Sequence, residues 1–172
     1  APCETPEDKV ARETLHHEIA AEVMGTPEAA FAAEPVLFQE FQVTCRIRNA
    51  AKPTLEIFRA LLPYARAGLP PESHADVAWT GALQVASGLP DDLKAVYLLV
   101  ARAAKGGEPC PPDMLLARAC GSMSPGRGRA RLDKLADQAY VTVRKDMRGN
   151  RVVAVPDFSW ETAAGDPNAA AA

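Results

Sequence analysis

Residues 113–155 read DMLLARACGSMSPGRGRARLDKLADQAYVTVRKDMRGNRVVAV, and this stretch decides the fold class. Pro111-Pro112-Asp113 starts a short helix, Met114 to Cys120, and Gly121 ends it. Ser124-Pro125 is an N-cap followed by proline at the first helical position, and it opens a helix to about Gln138. Tyr140-Val141-Thr142-Val143-Arg144 alternates as a strand. Asp146-Met147-Arg148-Gly149-Asn150 supplies turn chemistry, and Arg151-Val152-Val153-Ala154-Val155 returns as a second strand ended by Pro156. One more helix precedes this stretch. It runs from Asp91-Asp92 to about residue 104, with Leu93, Val96, Tyr97, Leu99 and Val100 apolar, and Gly106-Gly107 stops it. The order is helix, helix, helix, β-hairpin.

In this order, residues 91–156 resemble a winged helix-turn-helix DNA-binding domain of the bacterial transcription regulator type. In Ala117-Arg118-Ala119-Cys120-Gly121 a small residue precedes a glycine by four, as in the helix-turn-helix pattern, and Arg131-Leu132-Asp133-Lys134-Leu135 resembles the family's closing run. The likeness covers roughly 65 of the 172 residues. Two features depart from the family pattern. The turn from Gly121 to Ser124 is one residue longer than the commonest spacing, and Gly128 stands where a β-branched core residue is usual. Gly126 and Gly128 each cost the helix about 1 kcal/mol relative to alanine. A close backbone approach to phosphate offers a use for them.

Helical geometry assigns faces to the third of these helices. Gly128, Leu132, Leu135, Ala136 and Ala139 cluster on the side expected to be buried. Arg127, Arg131 and Lys134 fall at i, i+4 and i+7 on the other side, with Arg129 on the opposite flank. Long cations on the outward face of a recognition helix reach base edges and phosphates in a major groove. In the hairpin, Arg144, Lys145, Arg148 and Arg151 crowd one end, where the resemblance implies contacts to phosphate or the minor groove. With Ser124 at the helix start, these nine residues are the candidate DNA-binding set.

Charge agrees with this placement. The chain carries a formal −3, but residues 1–88 hold 7 basic against 12 acidic residues, while 118–151 hold nine against three. A basic stretch on an otherwise acidic chain is a candidate polyanion footprint.

The first half reads as Ala-rich helices. Thr5-Pro6 followed by Glu7 and Asp8 starts a helix over about 6–24, with Val10, Ala11, Leu15, Ile19 and Val23 on one face. A second element over about 34–49 carries β-branched and aromatic residues, and the spacing of Leu37, Phe41 and Cys45 favours helix over strand. Pro53 opens a third helix with Leu55, Phe58, Leu61 and Leu62, which Pro63 is expected to kink or end. A fourth spans about 71–87 with Val77, Trp79, Leu83 and Val85. Gly88-Leu89-Pro90 is the expected hinge. The expected fold is therefore mainly α. An acidic helical domain (1–88) for oligomerisation or partner or effector binding precedes a winged-helix domain (89–158), and a disordered tail (159–172) closes the chain.

Several classes are excluded or disfavoured. Hydrophobic residues are 48% and charged residues 24%, ordinary for a globular protein. The apolar run Val96 to Ala101 is far short of the roughly 20 residues of a membrane span. The N-terminus carries no basic start followed by an apolar stretch, so no signal peptide is read. The start at Ala1 is compatible with a chain excised from a longer protein. Cys3, Cys45, Cys110 and Cys120 form no CxxC pair, and with His16, His17 and His74 they give no zinc spacing. A reduced, cytoplasmic protein with the cysteines as small core residues is expected, without metal or cofactor. Of His16 and His17, one is expected to face outward. Asp91-Asp92 reads as helix-start acid, and no phosphate loop, Ser-His-Asp grouping or HExxH motif is present, so no enzyme is expected. Trp79 with Phe31, Phe38, Phe41 and Phe58 reads as core before ligand pocket. The expected activity is sequence-specific binding of double-stranded DNA by a bacterial regulator, with a possible homodimer through the N-terminal helices. Alternatives are a plasmid or phage replication, partition or packaging factor, and a winged-helix protein-interaction adaptor.

Overall fold

The computed structural model describes residues 3–171. Among them are seven α-helices and one three-stranded antiparallel sheet near the C-terminal end. No described helix is long and apolar enough to cross a membrane.

α1 (Pro6–Met24) begins with a reciprocal cap. Thr5 Oγ1 accepts from the Asp8 N–H, and the Asp8 carboxylate accepts from the Thr5 N–H, each at 3.1 Å. Only its second half is buried, through His16, Ile19, Ala20 and Val23. Val10 and Ala11 lie in solvent, so the expected apolar face begins a turn later than the spacing suggests. α2 (Glu34–Ile47) is a helix with Leu37, Phe41 and Cys45 buried, as the four-residue spacing predicts. α3 (Leu55–Arg66) is capped by Thr54, whose hydroxyl accepts from the Ile57 N–H, and it runs through Pro63, which neither ends it nor lies exposed. Phe41 and Phe58 meet at 5.0 Å in the first core, formed by α1, α2 and α3.

The expected helix over 71–87 is broken. Pro71–Ala75 and Val77–Trp79 are 3₁₀ turns, and only α4 (Thr80–Ser87) is α-helical. Asp76 causes the break: its side chain accepts from the Ala78 N–H and caps a new start. Val77 is left in solvent, while Trp79 is buried.

α5 (Asp91–Gly106) is buried nearly all round, from Leu93 to Ala104, and stops at Gly107 in the left-handed conformation. Packed on it are α6 (Asp113–Ala119), α7 (Pro125–Asp137) and the hairpin of β1 (Thr142–Lys145) and β2 (Arg151–Val155), paired from Thr142↔Ala154 to Lys145↔Arg151. This second core begins at Ala67 and takes in Leu69, Trp79, Ala82 and Ala86. The change of core thus falls at the end of α3, and not at Gly88 as expected, because α4 turns its small residues toward α5.

The tail departs most from expectation. Residues 159–172 were expected to be disordered; within the described part, Trp160–Glu161 forms β3 on the free edge of β2. Ala163 and Gly165 then bridge to Pro109 and Arg151, and the Asp113 N–H donates to Pro167 O at 2.8 Å. The physical reason is Trp160, whose ring packs 5.5 Å from Trp79 and 5.0 Å from Phe158. A two-residue strand is too short to be marked by alternation.

Candidate nucleic-acid interface

α6, its turn and α7 form a tightly joined pair. α6 ends in a Schellman motif: the Ser122 N–H donates to Ala117 O and the Gly121 N–H to Arg118 O, with Gly121 at φ +76°. At Gly128 the two backbones approach so closely that a Cβ would stand 2.5 Å from Ala117 N and from Asp113 O. Close approach is the use of this glycine, but to α6 rather than to a phosphate. Leu132 and Leu135 share its buried face and Ala136 is half-buried, whereas Ala139 lies past the helix end at φ +64°, exposed.

The nine candidate residues divide. Ser124 occupies the N-cap position, exposed, but its hydroxyl caps nothing; instead Ser122 Oγ accepts from the Ser124 N–H at 3.0 Å. Arg127 and Lys134 are exposed on α7, and Lys145 and Arg148 are exposed on the hairpin. None of these four makes an ion pair among the described residues. Arg129 is exposed but bonds through Nε to the Asp113 carboxylate at 3.0 Å. Arg131 is half-buried with Nε against the Asp92 carboxylate, a close charge contact not aligned as a hydrogen bond. Arg144 donates to Glu161 at 2.7 Å.

Arg151 does not belong to the surface. Its side chain is 4% exposed and donates to Asp113 Oδ1 and Pro111 O, each at 2.6 Å, and to Cys110 Sγ at 3.3 Å. Burial pulls the guanidinium pKa down, but the bonds and charges of Cys110 and Asp113 outweigh it, so the net shift is upward. The alternation of β2 explains the misreading. Arg151 faces inward with Val153 and Val155, and an arginine at the end of an exposed-looking hairpin gives no sign of that.

Asp113 is the residue sequence reasoning missed. Read only as the acid of a helix start, it is 3% exposed and accepts from both Arg129 of α7 and Arg151 of β2. One carboxylate therefore ties α7 and the hairpin to α6. Nothing in the Pro112-Asp113 dipeptide distinguishes this role from simple capping.

No family model, curated protein or solved structure matches the chain. The site is therefore read from its own chemistry.

The remaining candidates sit elsewhere. His16 is buried and donates from Nε2 to Ala51 O at 2.9 Å. His17 stacks on His74 at 3.7 Å, with Tyr64 edge-on to both, so neither histidine of the pair is turned freely outward. Trp79 lies in the second core, Phe41 and Phe58 in the first, and Phe31 is exposed, so the aromatic set lines no common pocket. Cys45 and Cys110 are buried, Cys120 is half-buried and Cys3 is exposed, which removes Cys3 from the expected core set.

Proposed function

We propose that this protein binds double-stranded DNA, with α7 as recognition helix and the β1–β2 hairpin as wing, and that it acts as a transcription regulator of the bacterial winged-helix type. One observation carries the reading: Arg127, Lys134, Lys145 and Arg148 are exposed and without carboxylate partners among the described residues, on a helix that packs closely on a second helix and on the hairpin that follows it. Unpaired cations can give phosphate contacts without first breaking an internal ion pair, and arginine on the helix supplies base contacts. Arg129, Arg131 and Arg144 are partly engaged and contribute after rearrangement; Arg151 is structural.

The N-terminal helices supply a route to a homodimer. Val36, Val43 and Ile47 are exposed on α2 at i, i+7 and i+11, which places them along one side of the helix. A two-fold pairing there would set two recognition helices on one duplex.

The test is binding of a labelled random-sequence duplex over a salt series, comparing wild type with Arg127→Ala/Lys134→Ala. The expected result is a steep loss of affinity with salt, whose log–log slope becomes shallower by about 2 in the double variant. No binding at low salt would overturn the reading and turn attention to a protein partner on the same surface.

A further inference from the structure

Hairpin tips are ordinarily polar, because nothing there is buried. Met147 breaks this pattern. At the tip between β1 and β2 it is fully exposed, an unbranched apolar group standing wholly in water. The turn that presents it is firmly bonded. Asp146 Oδ1 accepts from the N–H groups of Arg148 and Asn150 at 2.9 Å each, Oδ2 accepts from Asn150 Nδ2, and the Asp146 N–H donates to Asn150 O. Gly149 at φ +82° closes the turn without side-chain strain. Lys145 and Arg148 bracket the methionine, both exposed and both outside any ion pair among the described residues.

An apolar tip between two free cations fits a polyanion that offers an apolar slot beside its charges. Duplex DNA does so at its base steps, where methionine is among the side chains that insert from the minor groove. An anionic lipid surface offers related chemistry, but the free cations of α7, which opens only a few residues beyond the short α6, favour the duplex.

We propose that Met147 is a wedge: the hairpin enters the minor groove, Lys145 and Arg148 hold the flanking phosphates, and the thioether partly unstacks one base step and bends the DNA. The preferred duplexes are those with pyrimidine–purine steps, which unstack most readily. This inference rests on the duplex-binding reading above and adds its mode.

The experiment uses the full chain and short duplexes that carry 2-aminopurine beside a single TA step, with an all-G·C-step duplex as control. Wild type is expected to raise the 2-aminopurine fluorescence on binding and to prefer the TA duplex several-fold. Met147→Ala should abolish both effects while keeping the salt dependence of binding, and Met147→Leu should restore them. Salt-dependent binding with no fluorescence rise, or a rise unchanged in Met147→Ala, overturns the wedge and leaves the duplex reading standing. Absence of duplex binding, or binding to phosphatidylserine vesicles in its place, overturns both.

Discussion

Gly128 of α7 lies against Ala117 of α6 with no room for a side chain: a Cβ at Gly128 would stand 2.5 Å from the Ala117 nitrogen. The contact is backbone to backbone, so no flexible side chain can move away. Gly126, two residues earlier, meets nothing nearer than Ser124 Oγ at 3.8 Å. Gly128→Ala is therefore expected to destabilise by about 1–3 kcal/mol through overpacking, set against about 1 kcal/mol gained in helix propensity. Gly126→Ala keeps the propensity gain alone and should stabilise by up to about 1 kcal/mol. Urea midpoints of the two variants decide the matter. Equal shifts would mean that the helices separate at no cost.

Asp113 holds two arginines, and only one of them is buried. Removing its charge leaves Arg151 enclosed by Pro111 O and Cys110 Sγ without a counter-charge. Asp113→Ala should cost about 3–5 kcal/mol, the usual result of stranding one member of a buried pair. Arg151→Met/Asp113→Leu, which removes both charges, should recover much of that loss. Arg129→Ala, by contrast, removes an exposed partner and should cost no more than about 1 kcal/mol. Denaturant unfolding of the three variants gives the ordering. A double variant as unstable as Asp113→Ala would show that the pair is retained for more than charge balance.

These two contacts mark where the sequence is legible and where it is not. The order of α5, α6, α7, β1 and β2 follows from Asp91-Asp92, Pro111-Pro112, Gly121, Ser124-Pro125 and the alternation of 140–144 and 151–155, because caps, turns and period-two patterns are local. The bounds follow less closely, since β1 begins at Thr142 and leaves Tyr140 and Val141 outside the strand. α2 is legible for the same reason, through the spacing of Leu37, Phe41 and Cys45. What is decided by distant partners is not legible. Arg151 looks like every other cation of the hairpin until Asp113 closes on it, and Gly128 looks like a helix fault until Ala117 is placed beside it. Val10 has an amphipathic position, yet no element among the described residues covers it.

The stack of His17 on His74 joins α1 to the chain that follows α3, with Tyr64 edge-on and Lys94 Nζ 5.6 Å over the Tyr64 ring. Burial, then the charges that His74 and His16 would carry, push His17 down to about 4 from an ordinary 6.5, and burial lowers His74 as well. A lowered folded pKa means that the unfolded chain binds the proton more tightly. Stability is then complete above about 6.5 and is lost as pH falls toward about 4. His17→Phe keeps a ring in the stack and cannot be protonated, so the difference between its urea midpoint and that of wild type should widen in its favour across this window. A constant difference would place the titration elsewhere.

The last strand makes the tail part of the fold. Trp160 covers Trp79 from one side, and residues 163–167 bond to Glu108, Cys110, Arg151 and Asp113. Ending the chain after Phe158 removes all of these, bares the edge of β2 and leaves Trp79 against water. The expected loss is about 3 kcal/mol, from the half-buried indole and the backbone bonds left open. Ending it after Asn168 removes none of these contacts and should leave the melting temperature within about 1 °C of the full chain. Thermal unfolding followed by tryptophan emission tests the pair, since Trp79 and Trp160 are the only two tryptophans of the chain. In Trp160→Ala the remaining emission should shift to the red, because Trp79 loses its cover. An unshifted spectrum with an unchanged melting temperature would mean that the third strand is carried by the sheet without supporting it.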